Sequence, residues 1–325
     1  MKNLLIPILA AGALTVHSAS AQVTPYTATA NTAVLYHFDE ATGSTVATDS
    51  SANAFNLTRN STFQPFNGQA GPTGLGTAAG PFDDQIDYLS KGLTAVQGGA
   101  FSTTTFTIEA WVLNPGIKTT FDANNNPVYT PQLNSTGTLF EIRGGTTTTT
   151  QRLQFRLDGP ASAIDPATNT YTMNMALSLA NAAAPATAVD VTSSVRATFT
   201  IGQWAHVAVS YDNNGTATAA DSIVKFYKDD QSNTSGVATQ IGTTRTGVQD
   251  INAFGLAGTT LKVGGDGNAV GRHVFGHMDE LRYTNSTLAA NQFNLAAVPE
   301  PTAALMLLSG TGMLLGFRRG RRATR

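Results

Sequence analysis

The feature that most constrains this chain is a side-chain period of two that recurs in short runs along it. Phe106, Ile108, Ala110 and Val112 alternate with Thr105, Thr107, Glu109 and Trp111. Successive strand residues point to opposite faces, so such a run reads as a strand with one buried face. The alternation returns at Trp204-Ala205-His206-Val207-Ala208-Val209-Ser210 and again from Ile223 to Tyr227. Further strands are expected at 34–38, 85–89, 138–143, 152–157, 173–179, 261–264 and 275–283. No long stretch carries a helical period of 3.6; the best candidate is one or two turns at 288–293. Many short strands separated by Gly, Asn and Asp turns specify an all-β sandwich or barrel and exclude a parallel α/β sheet.

The two ends follow other rules. Lys2 precedes an apolar run from Leu4 to Val16, and Ala19-Ser20-Ala21 supplies the small residues of a cleavage site. Residues 1–21 therefore read as a signal peptide, too short to span a membrane. At the other end, Pro299-Glu300-Pro301 leads into an apolar run from Thr302 to Phe317, followed by Arg318, Arg319, Arg321, Arg322 and Arg325. Sixteen helical residues reach about 24 Å, short of the roughly 30 Å hydrocarbon core. The arginines would stay cytoplasmic, leaving everything before Val298 outside. Segment 298–325 resembles the PEP-CTERM sorting signal of Gram-negative bacteria. That resemblance implies a transient C-terminal transmembrane helix, processing near Pro299-Glu300-Pro301 by an exosortase-type sorting protease, and delivery to the cell envelope, the outer surface or the extracellular matrix. A plain C-terminal membrane anchor is the other reading.

Export makes disulfides available, yet the chain has no cysteine, so its stability must come from a core or a metal. The remaining 22–297 is long for one domain but ordinary for a large all-β one. Lys2 and the five tail arginines are six of the 19 basic residues, and Glu300 is one of the 21 acids. The exported part keeps 13 against 20, a net charge near −7. That balance argues against nucleic acid or anionic lipid as a partner.

Six segments in order, the first of them in two runs, resemble the laminin-G-like, concanavalin A-like jelly-roll domains of bacterial exported proteins. They open with Val34-Leu35-Tyr36-His37-Phe38-Asp39-Glu40 and Asp49-Ser50-Ser51-Ala52-Asn53, and continue with Phe106-Thr107-Ile108-Glu109-Ala110-Trp111 and Gln203-Trp204-Ala205-His206. Val224-Lys225-Phe226-Tyr227 and Leu261-Lys262-Val263-Gly264-Gly265 follow, and Gly276-His277-Met278-Asp279-Glu280-Leu281 closes the series. The resemblance implies a jelly-roll β-sandwich of two antiparallel sheets over 22–297. It departs from the pattern between Asn114 and Thr138 and between Gly144 and Thr198, where Thr-, Ala- and Asn-rich stretches read as enlarged loops that either rim a binding site or decorate the domain.

Catalysis finds little support. Glycoside hydrolysis needs two carboxyl groups held roughly 5 to 10 Å apart, and the four glutamates of 22–297, Glu40, Glu109, Glu141 and Glu280, show no spacing that would pair them. No Gly-x-Ser-x-Gly elbow, phosphate-cradling loop or His-Glu-x-x-His is present. The resemblance implies calcium near the junction of the N-terminal loop and the last strand, with Asp39, Asp49, Asn53 and Asp279 as candidate ligands. The alternative is that these residues cap turns or pair with Arg272 or Arg282. Asp122-Ala123-Asn124-Asn125-Asn126 imitates a calcium loop, but Pro127 and Leu133 stand where glycine and glutamate are needed, so it reads as a turn. Trp111 and Trp204 lie in strands and read as structural; Phe121, Tyr129 and Tyr171 are the loop aromatics available to stack on a sugar ring. The expected function is noncatalytic recognition or adhesion with a glycan or exopolysaccharide as ligand. A structural matrix protein and a divergent polysaccharide hydrolase are the alternatives.

Overall fold

The structure, a computed structural model, describes residues 23–59, 69–76, 78–82, 88–101, 104–131, 137–144, 152–158, 161–180, 188–214, 222–232, 235–248, 259–265, 273–293 and 295. Residues 1–21 and 298–325, read from the sequence as a signal peptide and a sorting signal, lie outside the described residues. No described helix is long and apolar enough to cross a membrane.

The described chain is nearly all β, and its paired strands run antiparallel. One sheet orders Thr32–Tyr36, Gly276–Thr284, Thr105–Leu113, Trp204–Asp212, Ser222–Asp230 and Thr239–Gln240, with Gly80–Phe82 and Arg245–Val248 as side branches. The other orders Ala188–Thr192, Thr170–Ala180, Arg152–Asp158, Gly137–Gly144, Thr259–Val263, Leu89–Leu93, Leu57–Arg59 and Val46–Ala47, with Ala197–Thr200 beside Thr170–Ala180. Phe106, Ile108, Val207, Phe226 and Tyr283 of the first sheet share one apolar cluster with Phe140, Ile142, Phe155 and Leu177 of the second. The two sheets therefore form a sandwich. An aromatic seam runs through it: Tyr283 packs against Phe101, Phe106 and Phe140 with ring centroids 5.2, 5.4 and 5.5 Å apart.

The alternating runs sit where the period places them, because each puts its apolar set on the core side. The differences lie elsewhere. Residues 288–293 form a turn, with Gln292 N–H donating to the Ala289 carbonyl, rather than helix. The α-helix among the described residues is the single turn Ala95–Gly98, set by a capping box in which Thr94 and Gln97 satisfy each other's backbone N–H. The enlarged loop expected after Asn114 is in fact a β-hairpin, Ile117–Phe121 paired with Pro127–Pro131. In the stretch after Gly144 the expected strands 152–157 and 173–179 are present as Arg152–Asp158 and Thr170–Ala180, and Ala188–Thr192 and Ala197–Thr200 are two strands that were not expected.

At each end of the described chain a single aromatic is anchored in otherwise mostly exposed surroundings. Tyr26 and Phe293 are almost inaccessible. Tyr26 presents its ring to the Arg282 guanidinium at 4.5 Å, and Phe293 lies 5.2 Å from His206 and 5.0 Å from Tyr227.

Candidate functional site

The hairpin is built by turn chemistry at both ends. At its root, Asn114 and Gly116 take positive φ angles of 51° and 74°. A side chain on Gly116 would collide with Met173, so glycine is required there. Gly116 N–H donates to the Phe275 carbonyl at 3.0 Å, and Asn114 Oδ1 accepts from Gly202 N–H at 2.7 Å. At its tip, Asp122 accepts the backbone N–H groups of Asn124 and Asn126, both at 2.8 Å. Those bonds, from Asn126 first, hold the exposed Asp122 carboxyl below its ordinary range. This is the turn expected in place of a calcium loop.

Register then decides what the hairpin presents. Thr119 pairs with Tyr129 and Phe121 with Pro127, so these four side chains share one face. That face lines a cleft of about 510 Å³ together with Gln69, Asn114, Lys118, Gly202, Phe275, Gly276 and His277. Phe121 is 64% exposed and Tyr129 half-buried. Two of the three expected aromatics, Phe121 and Tyr129, therefore line one cleft, carried by a hairpin rather than a loop.

Tyr171 requires correction. It lies in strand Thr170–Ala180, is 1% exposed, stacks on Phe199 at 5.7 Å and donates its hydroxyl to the Pro115 carbonyl at 2.8 Å. It supports the hairpin root from below and offers no face to a ligand.

The expected calcium ligands separate into two pairs. Asp49 spends both carboxylate oxygens on a turn: Oδ1 accepts from Leu35 and Ser51 N–H, and Oδ2 from Phe55 N–H and the Ser51 hydroxyl. Asn53 Nδ2 donates to the Ala33 carbonyl at 2.8 Å. These two are turn residues, as the alternative reading had it.

Asp39 and Asp279 do come together. Burial pushes the Asp279 carboxyl well above its ordinary range, with the charges of Glu280, Asp39 and Glu40 adding to the shift. Asp279 Oδ1 accepts from Glu280 N–H, while Oδ2 is buried without a hydrogen-bond partner. A Cβ on Gly71 would run into that oxygen, and one on Gly76 would run into the Asp39 carboxylate. Glycines thus let the chain at 71–76 close over two acids, and an orphaned buried oxygen is costly unless something binds it. Among the described residues no three His, Cys, Asp or Glu side chains converge on a metal position. Calcium draws much of its shell from carbonyls and water, so this donor set fits it with two carboxylates.

Periodicity could not reveal the ion pairs on the outer face of the first sheet. Glu109 is fully buried; its Oε1 accepts from Arg282 Nε at 2.8 Å, and Oε2 lies 3.0 Å from His206 Nε2. Burial alone would raise the Glu109 carboxyl, but the His206 and Arg282 contacts hold it below its ordinary range. His206 thus bonds across the sheet. Trp111 and Trp204 are buried.

A polar row also crosses the second sheet. Asp190, Ser178, Gln154, Glu141, Lys262, Ser90 and Thr58 are successive cross-strand partners. Glu141 pairs with Arg143 at 2.8 Å, and Arg156 bridges Asp158 and Asp190 at 3.0 and 2.9 Å. The signal was present in the sequence, since Gln154, Arg156 and Asp158 occupy every second position of their strand.

No protein-family model matches the sequence, and no curated protein matches it. Among solved structures, a Trypanosoma rangeli sialidase in complex with 2,3-difluoro-KDN aligns over 87% of this chain and 37% of its own, at 11% identity and a TM-score of 0.44. The structure "NanB plus Optactamide" aligns over 64% of this chain at 12% identity and a TM-score of 0.36. Lectin UEA-II complexed with galactose aligns over 77% of this chain and 98% of its own, at 9% identity and a TM-score of 0.34. The chain spans about a quarter of the NanB chain it matches. All three TM-scores lie below 0.5, and the sandwich rests on the strand pairing and shared core described above.

Proposed function

We propose that this protein is an exported, noncatalytic glycan-binding domain of the laminin-G-like jelly-roll kind. In this reading the tail is a PEP-CTERM signal that hands it through an exosortase-type protease to the envelope of a Gram-negative bacterium. The observation that carries the binding reading is the cleft beneath the hairpin. Phe121 and Tyr129 stand on one face of Ile117–Phe121 and Pro127–Pro131, and an exposed aromatic beside polar side chains suits a sugar ring.

The noncatalytic part rests on where the glutamates are held. Glu109 is tied to Arg282 and His206, Glu280 to His37 and Tyr26 N–H, Glu141 to Arg143, and Glu40 to Thr48 N–H. None lines the cleft. Calcium belongs to the proposal as a structural ion held by Asp39 and Asp279, neutralising charge where the last strand meets the N-terminal loop. A glycan array probed with the purified protein tests the binding reading. Binding lost in Phe121→Ala supports it; the absence of binding to any glycan leaves the structural matrix protein.

A further inference from the structure

The polar groups around the cleft are unevenly chosen. Its described lining carries no carboxylate, and its cation-forming side chains are Lys118 and His277. The exported part as a whole carries more acids than bases, 20 against 13, so a described lining with a lysine and no carboxylate runs against the average of the chain. Among the described residues, the acids adjacent in sequence to the lining are engaged elsewhere. Asp122, next to Phe121, is turned into the hairpin tip by Asn124 and Asn126. Asp279, two residues after His277, is fully buried beneath Gly71.

Hydrogen-bonding capacity is biased the same way. Asn114 spends its carbonyl oxygen on Gly202 N–H, which leaves the Nδ2 amide as the group it can offer. Lys118 is exposed and has three donors and no acceptor. Phe121 and Tyr129 line the same cleft. An apolar platform beside cationic and amide donors matches a ring with one apolar face and an anionic, acceptor-only substituent.

Resting on the glycan-binding reading, we infer that the cleft takes a carboxylated sugar, such as a uronic acid residue of an acidic polysaccharide. The ring stacks on Phe121, and the carboxylate is met by Lys118, His277 and the Asn114 amide. Neutral sugars keep the stacking contact and lose the charged one.

The test is retention of the purified full-length protein in affinity gels containing polygalacturonate, the same polymer after chemical reduction of its carboxyl groups, or dextran sulfate. Polygalacturonate should retain the protein most strongly, and less so as salt rises, because exposed charges are screened beyond about 8 Å at physiological ionic strength. Lys118→Ala should weaken that retention about two- to fivefold, the range of an exposed ion pair, without changing retention by the carboxyl-reduced polymer. Phe121→Ala should weaken both. Equal retention by polygalacturonate and its reduced form overturns the acidic-sugar assignment while leaving glycan binding in place. Equal retention by dextran sulfate overturns it in favour of unspecific polyanion binding, and retention by none of the polymers removes the glycan reading and this inference together.

Discussion

His37 Nδ1 lies 2.6 Å from Oε1 of the fully buried Glu280, and Oε2 of the same carboxylate accepts Tyr26 N–H at 2.8 Å. One side chain on the last strand thus fastens both the residue after the first strand and the N-terminal segment. Glu280 holds this position with φ at +50°, a left-handed conformation that is uncommon outside glycine. It coincides with the register shift between Asp279 and Arg282. That bulge sends Asp279 toward Gly71 and Arg282 toward Glu109, so one irregularity arranges both polar clusters of the sheet.

The His37 pair sets a pH dependence. Its hydrogen bond to Glu280 raises the imidazole pKa, against the opposing effect of burial. A group with a raised folded pKa stabilises fully below its unfolded value of about 6.5 and loses that contribution as pH rises through the folded value. The melting temperature in chelator should therefore fall from mildly acidic toward alkaline pH, and His37→Gln should flatten this fall. Glu109 acts in the opposite sense: its lowered pKa gives stability above about 4.5 that disappears as pH drops through the folded value. Parallel pH profiles for wild type and His37→Gln would show that the pair contributes nothing.

The proposed calcium ion makes its own prediction. A ligand that binds only the native state stabilises it by about 2.7 kcal/mol at a hundredfold excess over Kd. The native Asp279 carboxyl retains its proton above the ordinary range, and the metal must displace that proton, so the calcium-induced rise in melting temperature should grow with pH. Asp279→Asn should abolish the rise. Gly71→Ala should destabilise by about 1–3 kcal/mol through crowding of the buried carboxylate. A melting temperature indifferent to calcium and chelator across the pH range removes the site.

Glu109 and Arg282 should be strongly coupled. Removing one partner leaves a buried charge uncompensated, at a cost of about 3–5 kcal/mol, so Glu109→Gln and Arg282→Met should each lower the denaturant midpoint markedly. The double variant should cost clearly less than the sum of the two. Strict additivity would mean that the contact carries no energy of its own.

The strands were legible in the sequence because each needs only one apolar face, and that face leaves a local trace. Thr105–Leu113 and Trp204–Asp212 fall within about two residues of their alternating runs. The hairpin left no such trace: of Ile117–Phe121 only Ile117 is buried, so it meets the core only through Ile117 and the half-buried Tyr129, and its tip is held by Asp122 and its asparagines. Partnerships such as Glu109 with Arg282, 173 residues apart, depend on strand order, which periodicity does not encode. Asp49 was read by resemblance as a possible ligand, yet Asp-Ser-Ser carries the local signature of a side chain that closes its own turn, and that is the role it fills.

Tyr171 and Phe121 looked equivalent in sequence, as aromatics in polar, Thr-rich surroundings, and they should behave in opposite ways. Tyr171 is buried with its hydroxyl on the Pro115 carbonyl. Tyr171→Phe should therefore cost about 0.5–1.5 kcal/mol of stability for the lost hydrogen bond, and Tyr171→Ala roughly 3–5 kcal/mol for the cavity. The phenylalanine variant should bind polysaccharide like wild type, because the hairpin root keeps its ring support. Phe121 is mostly solvent-exposed, so Phe121→Ala should leave the melting temperature within about a degree of wild type. Its polysaccharide affinity should fall by about 0.5–1.5 kcal/mol, the energy of one aromatic contact, which is roughly two- to tenfold. Measuring thermal unfolding and affinity-gel retention on the same three variants separates the roles. If Tyr171→Phe weakens retention while Phe121→Ala leaves it intact, the ligand does not sit beneath the hairpin.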